Sequence, residues 1–245
     1  MQVTFDLALV DRDPNEVVIP GVVWGRPEWV PSAAFWASLA ATADRDEEGF
    51  EEVGASLAEV VGFCILGGYG VTYEVNQAAH DHLLDHGVYV WAAGETGFDA
   101  AARVEELLRL PLTVRGRRVH YRFPRQRAQR LVEALRALQA QPPPTLDSRA
   151  FRDSLMAIKG IGPKTASWIA RNHLGAKSVA ILDVHVIRAG RIIGLFGKNE
   201  RLPRDYHRME ERFLEFAQAI GACPAILDAV MWRAMRNLRL GDHGR

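Results

Sequence analysis

LMAIKGIGPKTASWIARNHLGAKSVAILDVHVIR, residues 155–188, decides how this chain is read. Leu155 and Ile158 close the apolar face of one helix. Gly160 and Gly162 flank Ile161, so the backbone there can take turn conformations closed to other residues. Pro163 follows where a helix accepts proline, at its first position. The new helix is expected from about Lys164 to His173, with Gly175 just past its end.

The pattern is a helix-hairpin-helix. Its glycines leave N–H groups bare beside a helix N-terminus, a concavity that holds a phosphate without reading base sequence. A plain helical corner would carry the same turn, and two further residues separate the readings. Lys164 lies in the first turn of the second helix, an end that lysine normally avoids because the dipole is positive there. A neutral lysine amine is a nucleophile able to form Schiff bases. Asp183 follows an apolar run and precedes another helix. It is expected to cap that helix, and a capping carboxylate at a cleft edge can also face a developing cation.

KGIGPKTAS followed by AILDVHVIR resembles the helix-hairpin-helix Gly/Pro-Asp DNA glycosylases, within them the lysine-bearing 8-oxoguanine DNA glycosylase/AP lyase branch. The resemblance implies that Lys164 attacks C1′ of the damaged nucleoside and that Asp183 assists base loss. It places backbone groups of Gly160, Ile161 and Gly162 on a DNA strand and His185 near the lesion phosphate. It implies a mainly α-helical, two-lobed fold with a DNA-binding cleft between the lobes. One lobe would cover 55–190 and end in the hairpin; the other would join 1–54 to 191–245. The stretch YRFPRQRAQRLVEA (121–134) resembles a helix of the small 8-oxoguanine branch. There Gln126 and Arg127 would face the base opposite the lesion, while Arg125 and Arg127 could instead clamp phosphates. In LDAVMW (227–232), Trp232 would line the base pocket by stacking. Asp228 would accept from a base N–H or bond within the protein. The loop GGYGV (67–71) stands where the family inserts a wedge, which makes Tyr69 the candidate; an ordinary loop with an anchoring tyrosine is the other reading.

Composition agrees with a soluble globular protein of one large or two small domains: 245 residues, 48% hydrophobic, 24% charged. No apolar run reaches membrane-spanning length, and the N-terminus lacks a secretory pattern. Cys64 and Cys223 match no zinc or cluster spacing and suit a reducing, cytoplasmic setting. No metal site is expected. The resemblance implies no organic cofactor and allows a monovalent cation in the hairpin; four clustered cysteines are absent, which removes the iron–sulfur cluster of cysteine-bearing relatives. Net charge is zero, yet residues 1–100 hold 17 acidic and 3 basic residues while 101–245 hold 13 and 27. Such polarity can present a basic face to phosphates. Segment 115–136 alone has eight arginines and one glutamate, although a charge run is also what a solvated helix face looks like.

Elsewhere, VTFDLALV and VVIPGVVW suggest short N-terminal strands. Ser32 is read as the cap of a helix turning Phe35, Trp36 and Leu39 inward. Acidic 44–52 is a turn and helix start. Residues 51–66 form a buried helix, and His80, His82 and His86 are read as surface histidines on the next one. Residues 116–123 are a basic turn before a helix starting at Pro124, with Ala128, Leu131, Leu135 and Leu138 inward. Amphipathic helices are expected over 209–221 and 223–240. The expected partner is double-stranded DNA with a damaged base, bound by a monomer, with no membrane role. Two other functions stay open: the same chemistry on a different modified base, and a non-catalytic DNA-binding hairpin module.

Overall fold

The computed structural model describes residues 12–43, 55–94 and 99–237. A hairpin of β1 (Val17–Ile19) and β2 (Val22–Val23) leads to α1 (Ala33–Thr42). Then come α2 (Leu57–Leu66), α3 (Tyr73–Asp85), the single turn α4 (Val88–Trp91) and α5 (Asp99–Arg109). A second hairpin, β3 (Leu112–Val114) and β4 (Arg117–Val119), precedes α6 (Pro124–Ala140), α7 (Ser148–Leu155) and α8 (Pro163–Leu174). The described chain finishes with α9 (Val184–Ile192), α10 (Tyr206–Ala219) and α11 (Pro224–Asn237). The fold is mainly α-helical. The runs 3–10 and 44–52, and the end of the last expected helix, lie outside the described residues.

Helix starts follow local chemistry. Ser32 accepts from the Phe35 amide and opens α1. Ser56 and Glu59 form a reciprocal capping box at α2. Thr72 caps α3, and Pro124 opens α6. Gly175, in the left-handed region at φ +63°, ends α8.

Backbone contacts divide the chain into a continuous unit, 52–169, and a second joining 1–51 to 170–245. The continuous unit ends short of the 190 read from sequence. The reason is packing: Ala180, Leu182, Val186 and Ile187 share one core with Trp24, Trp36, Phe213 and Met231. In that second unit α11 packs on α9 and α1, and β1 lies on α10. Gly194 joins the chain after α9 to the N-terminal hairpin. A Cβ there would lie 2.4 Å from the Gly21 carbonyl oxygen, and its φ of +80° disfavours side chains as well.

In the 52–169 unit, α6 packs on α5 and α2, and β3 runs along α3. Ala128, Leu131 and Leu135 are buried as the stripe predicts, with Leu138 half-buried. Two readings need correction here. His80 is buried, not superficial: Nε2 meets the Glu59 carbonyl at 3.1 Å, and its ring lies against Phe63 and Tyr89. Only His86 of the three is fully exposed. The basic turn at 116–123 is the far half of a β-hairpin, with Leu112 opposite Val119 and Val114 opposite Arg117. Arg115 (φ 48°) and Gly116 (φ 75°) form its two-residue turn, whose positive φ values match the strand twist.

Candidate nucleic-acid interface and catalytic residues

The GIGP turn closes on itself first. Gly160 has φ +98°, a conformation that favours glycine, and the Ile161 amide donates to the Ile158 carbonyl at 3.0 Å. Ile161 therefore anchors the turn through a buried side chain and a used amide, and it is not one of the bare N–H groups. Gly162 is the exposed cap position of α8; a Cβ there would meet nothing within 4 Å. It supplies no side chain to the first-turn amides, which suits an external anion. Lys164 follows on the exposed side of that first turn.

A buried brace holds the two helices of this motif together. Arg152 on α7 is 3% exposed and donates to the Ser167 hydroxyl on α8 at 3.2 Å. One turn after Lys164, Trp168 stacks on Phe63 of α2, ring centroids 6.1 Å apart. The lysine thus rides on a helix fixed by a guanidinium on one side and an aromatic stack on another.

The 67–71 loop also belongs to this unit. Its root is rigid: Asn76 Nδ2 donates to the Phe63 carbonyl at 3.1 Å, and buried Tyr121 donates to the Leu66 carbonyl. Burial pushes the Tyr121 hydroxyl up to about 12, so it stays a donor. From that root Tyr69 projects 99% exposed. Arg122 lies against Gly70 and Arg127 against Gly68. Arg130, one turn beyond Arg127, packs on Gly160. Arginines of α6 therefore connect the loop to the hairpin. Arg125 is separated from them: it lines a groove of about 750 Å³ with Glu105, Arg109, Gln129 and Arg136. The helical period explains the split, since residues two apart on a helix do not share a face. Gln126 is exposed.

Tyr69→Ala is expected to leave the melting temperature unchanged and to weaken binding to lesion-bearing duplex by on the order of tenfold, the worth of one base–aromatic stack. Calorimetry and fluorescence anisotropy check both halves. Equal affinity would return Tyr69 to an ordinary loop residue.

In the second unit, Asp183 caps α9 as expected. It is 7% exposed, and Oδ1 takes the amides of His185 (2.8 Å) and Val186 (3.0 Å). His185 is half-buried in the first turn of that helix. The segment before Asp183 belongs to no helix or strand, and the Asp183 amide donates to the Ile181 carbonyl at 3.1 Å. Side chains of α10 and α11 bond the backbone of this segment. Glu210 takes the Ala180 amide at 2.9 Å, and the Tyr206 hydroxyl donates to the Ala180 carbonyl at 2.6 Å. Asp228 Oδ2 takes the Ile181 amide at 2.9 Å.

Asp228 is 2% exposed, and its Oδ1 pairs with Arg171 of α8. Burial pushes its carboxyl up, to about 7, against the pull of the Arg171 charge and the Ile181 amide. Of the two readings of Asp228, the structure realises the bond within the protein. Trp232, one turn later, is 41% exposed with the Arg236 guanidinium 4.4 Å over its ring. It stands off the core stripe, as the sequence suggests.

Glu210, Tyr206, Arg152 and Tyr121 escaped the sequence reading. A signal existed for the first two. Tyr206, Glu210 and Phe213 follow helical spacing on the buried face of α10, and a carboxylate on an apolar face demands a buried donor.

Comparison with known proteins finds the following likenesses. The family description 8-oxoguanine DNA glycosylase matches residues 104–222. The 8-oxoguanine DNA glycosylase/AP lyase of Saccharolobus solfataricus is 34% identical over 94 residues, 37% of this chain and 45% of that relative. The match thus spans less than half of the relative's length. The crystal structure of the Thermotoga maritima 8-oxoguanine DNA glycosylase superposes with TM-score 0.54 at 27% identity, over 79% of this chain and 88% of the other. The Methanocaldococcus jannaschii 8-oxoguanine glycosylase/lyase, solved with 15mer DNA containing 8-oxoguanine, shares the fold at TM-score 0.58 and 21% identity, over 83% and 96%. Residues 104–222, which hold both the hairpin and the capping aspartate, are thus similar to 8-oxoguanine DNA glycosylases, and the fold is shared with solved members of that group.

Proposed function

We propose that this protein is a bifunctional DNA glycosylase/AP lyase of base-excision repair that removes 8-oxoguanine from double-stranded DNA. The observation that carries the proposal is the pair Lys164, exposed in the first turn of the hairpin's second helix, and Asp183, capping the next helix. A binding module has no use for an amine nucleophile and a carboxylate both carried by this stretch of sequence.

In the proposed reaction, Gly160 and Gly162 amides with Arg127 and Arg130 hold the phosphate backbone. The damaged nucleotide leaves the stack at a cost of a few kcal/mol, and Tyr69 fills the gap. Trp232 offers a ring face to the extruded base. The Lys164 amine attacks C1′ as the glycosidic bond breaks, and the Asp183 carboxylate balances positive charge on the sugar. Ring opening gives a Schiff base between Nζ and C1′. Loss of a C2′ proton then expels the 3′ phosphate by β-elimination. The reaction needs no organic cofactor, and the proposal has one monomer acting on one lesion.

One observation favours a different modified base as the runner-up. Both Asp228 oxygens are engaged by Arg171 and Ile181, so the motif carboxylate is committed away from a base edge. The test offers 8-oxoguanine opposite cytosine, an abasic duplex and a panel of other damaged bases, with borohydride present. An adduct on the 8-oxoguanine duplex supports the proposal. An adduct on the abasic duplex, with excision of another base only, moves the specificity. No adduct on any duplex overturns the bifunctional mechanism in favour of a binding module.

A further inference from the structure

The β3–β4 hairpin is a small element with an unusual load. Its strands are three residues each, and an isolated ribbon of that size is not stable in water. It is held by one face: Leu112 is buried, and Val114 and Val119 are half-buried along α3. The rest is basic. Arg115, Arg117, Arg118 and His120 are all exposed within six positions. Arg115 meets Glu74 at 2.5 Å, an exposed pair of small net worth. Arg117 and Arg118 have no carboxylate partner among the described residues. Like charges this close repel, and the fold gains nothing from them that a neutral polar residue would not give.

The position of the hairpin says what the charge is for. Thr72 and Tyr73 begin α3 directly after the 67–71 loop. Arg115 is tied to Glu74 in the first turn of that helix, and Arg122, three residues past β4, lies against Gly70. The ribbon is therefore a continuation of the edge that carries Tyr69, Arg127, Arg130 and the GIGP turn. All of these belong to the 52–169 unit.

We propose that this hairpin is a phosphate-gripping arm, in which Arg117 and Arg118 contact the backbone of duplex DNA flanking the lesion. The inference rests on the DNA-binding reading above and adds a separate contact to it. Two-stranded ribbons suit a duplex groove or its phosphate edge in width. Guanidiniums without internal partners are the donors that phosphates select. Such contacts position the protein without reading sequence. The arm should therefore act alike on damaged and undamaged duplex.

The test is the salt dependence of binding by the full chain, from anisotropy on a duplex with one 8-oxoguanine and on its undamaged counterpart. Each phosphate neutralised contributes about −0.9 to the slope of log K against log salt concentration. Arg117→Gln/Arg118→Gln is expected to make the slope shallower by about 1.8 on both duplexes, weakening binding to each by a similar factor. Arg117→Lys/Arg118→Lys should keep the wild-type slope. Arg109→Gln/Arg136→Gln, which removes the same charge from the α5–α6 groove, should change it by much less. An unaltered slope in the first double variant, with wild type still binding, overturns the arm alone and leaves the ribbon to some other acidic partner. Failure of the wild type to bind either duplex takes down the DNA-binding reading and the arm with it.

Discussion

Lys164→Gln is expected to abolish both the borohydride-trapped adduct and strand cleavage, with base excision falling by up to about 10⁶-fold, as for a lost nucleophile elsewhere. The side chain is exposed, and glutamine suits a helix first turn as well as lysine does, so the melting temperature should hold. This combination separates chemistry from folding. The variant should still bind lesion-bearing duplex, because the amides of Gly160 and Gly162 and the arginines of α6 are untouched. A trapped adduct on the variant, seen by gel shift and located by peptide mapping, would sink the assignment of Lys164 and point to a second amine.

Asp228→Ala is expected to destabilise the protein by about 3–5 kcal/mol, the cost of leaving a buried charge without its partner. At about 2–4 °C per kcal/mol for a chain of this size, the melting temperature falls by roughly 10 °C. The Ile181 amide is stranded, and the Arg171 guanidinium loses its carboxylate while keeping its bond to Asn172. The double variant Arg171→Met/Asp228→Leu removes the uncompensated charge and should recover much of the loss, since buried ion pairs are often replaceable by packed apolar side chains. The Ile181 amide stays stranded in it. Excision by the double variant should therefore remain impaired at temperatures where it is folded, because the backbone two residues before Asp183 has lost its anchor. A drop of less than about 1 kcal/mol for the single variant, measured by denaturant titration, would show that the segment before Asp183 does not depend on this side chain.

The hairpin was legible because it depends on local conformation. Gly160 must take a positive φ, Pro163 accepts only a helix start, and Gly175 ends the helix; each of these is decided within a few residues. Asp183 as a cap is equally local. Family resemblance then suggested a chemical role for the same residues, which lie within the stretch 104–222 that matches the family description. The unit boundary was misplaced for a nonlocal reason. Residues 176–192 are contiguous with the hairpin in sequence, but their apolar side chains are buried by Trp24, Trp36 and Phe213, which no local pattern links to them.

By itself the sequence determined the mainly helical class, the helix-hairpin-helix, the lysine and aspartate on their respective helix starts, and the asymmetry of charge along the chain. These follow from φ preferences, capping and periodicity, which act over one or two turns. The tertiary structure alone decided which polar side chains hold the strandless segment before Asp183, that Ile161 spends its amide inside the turn, that Arg125 and Arg127 serve different faces, and that the basic stretch is a ribbon rather than a turn. In each case the deciding energy is the satisfaction of a buried polar group or the burial of an apolar face by residues distant in sequence, and that pairing exists only once the chain has folded.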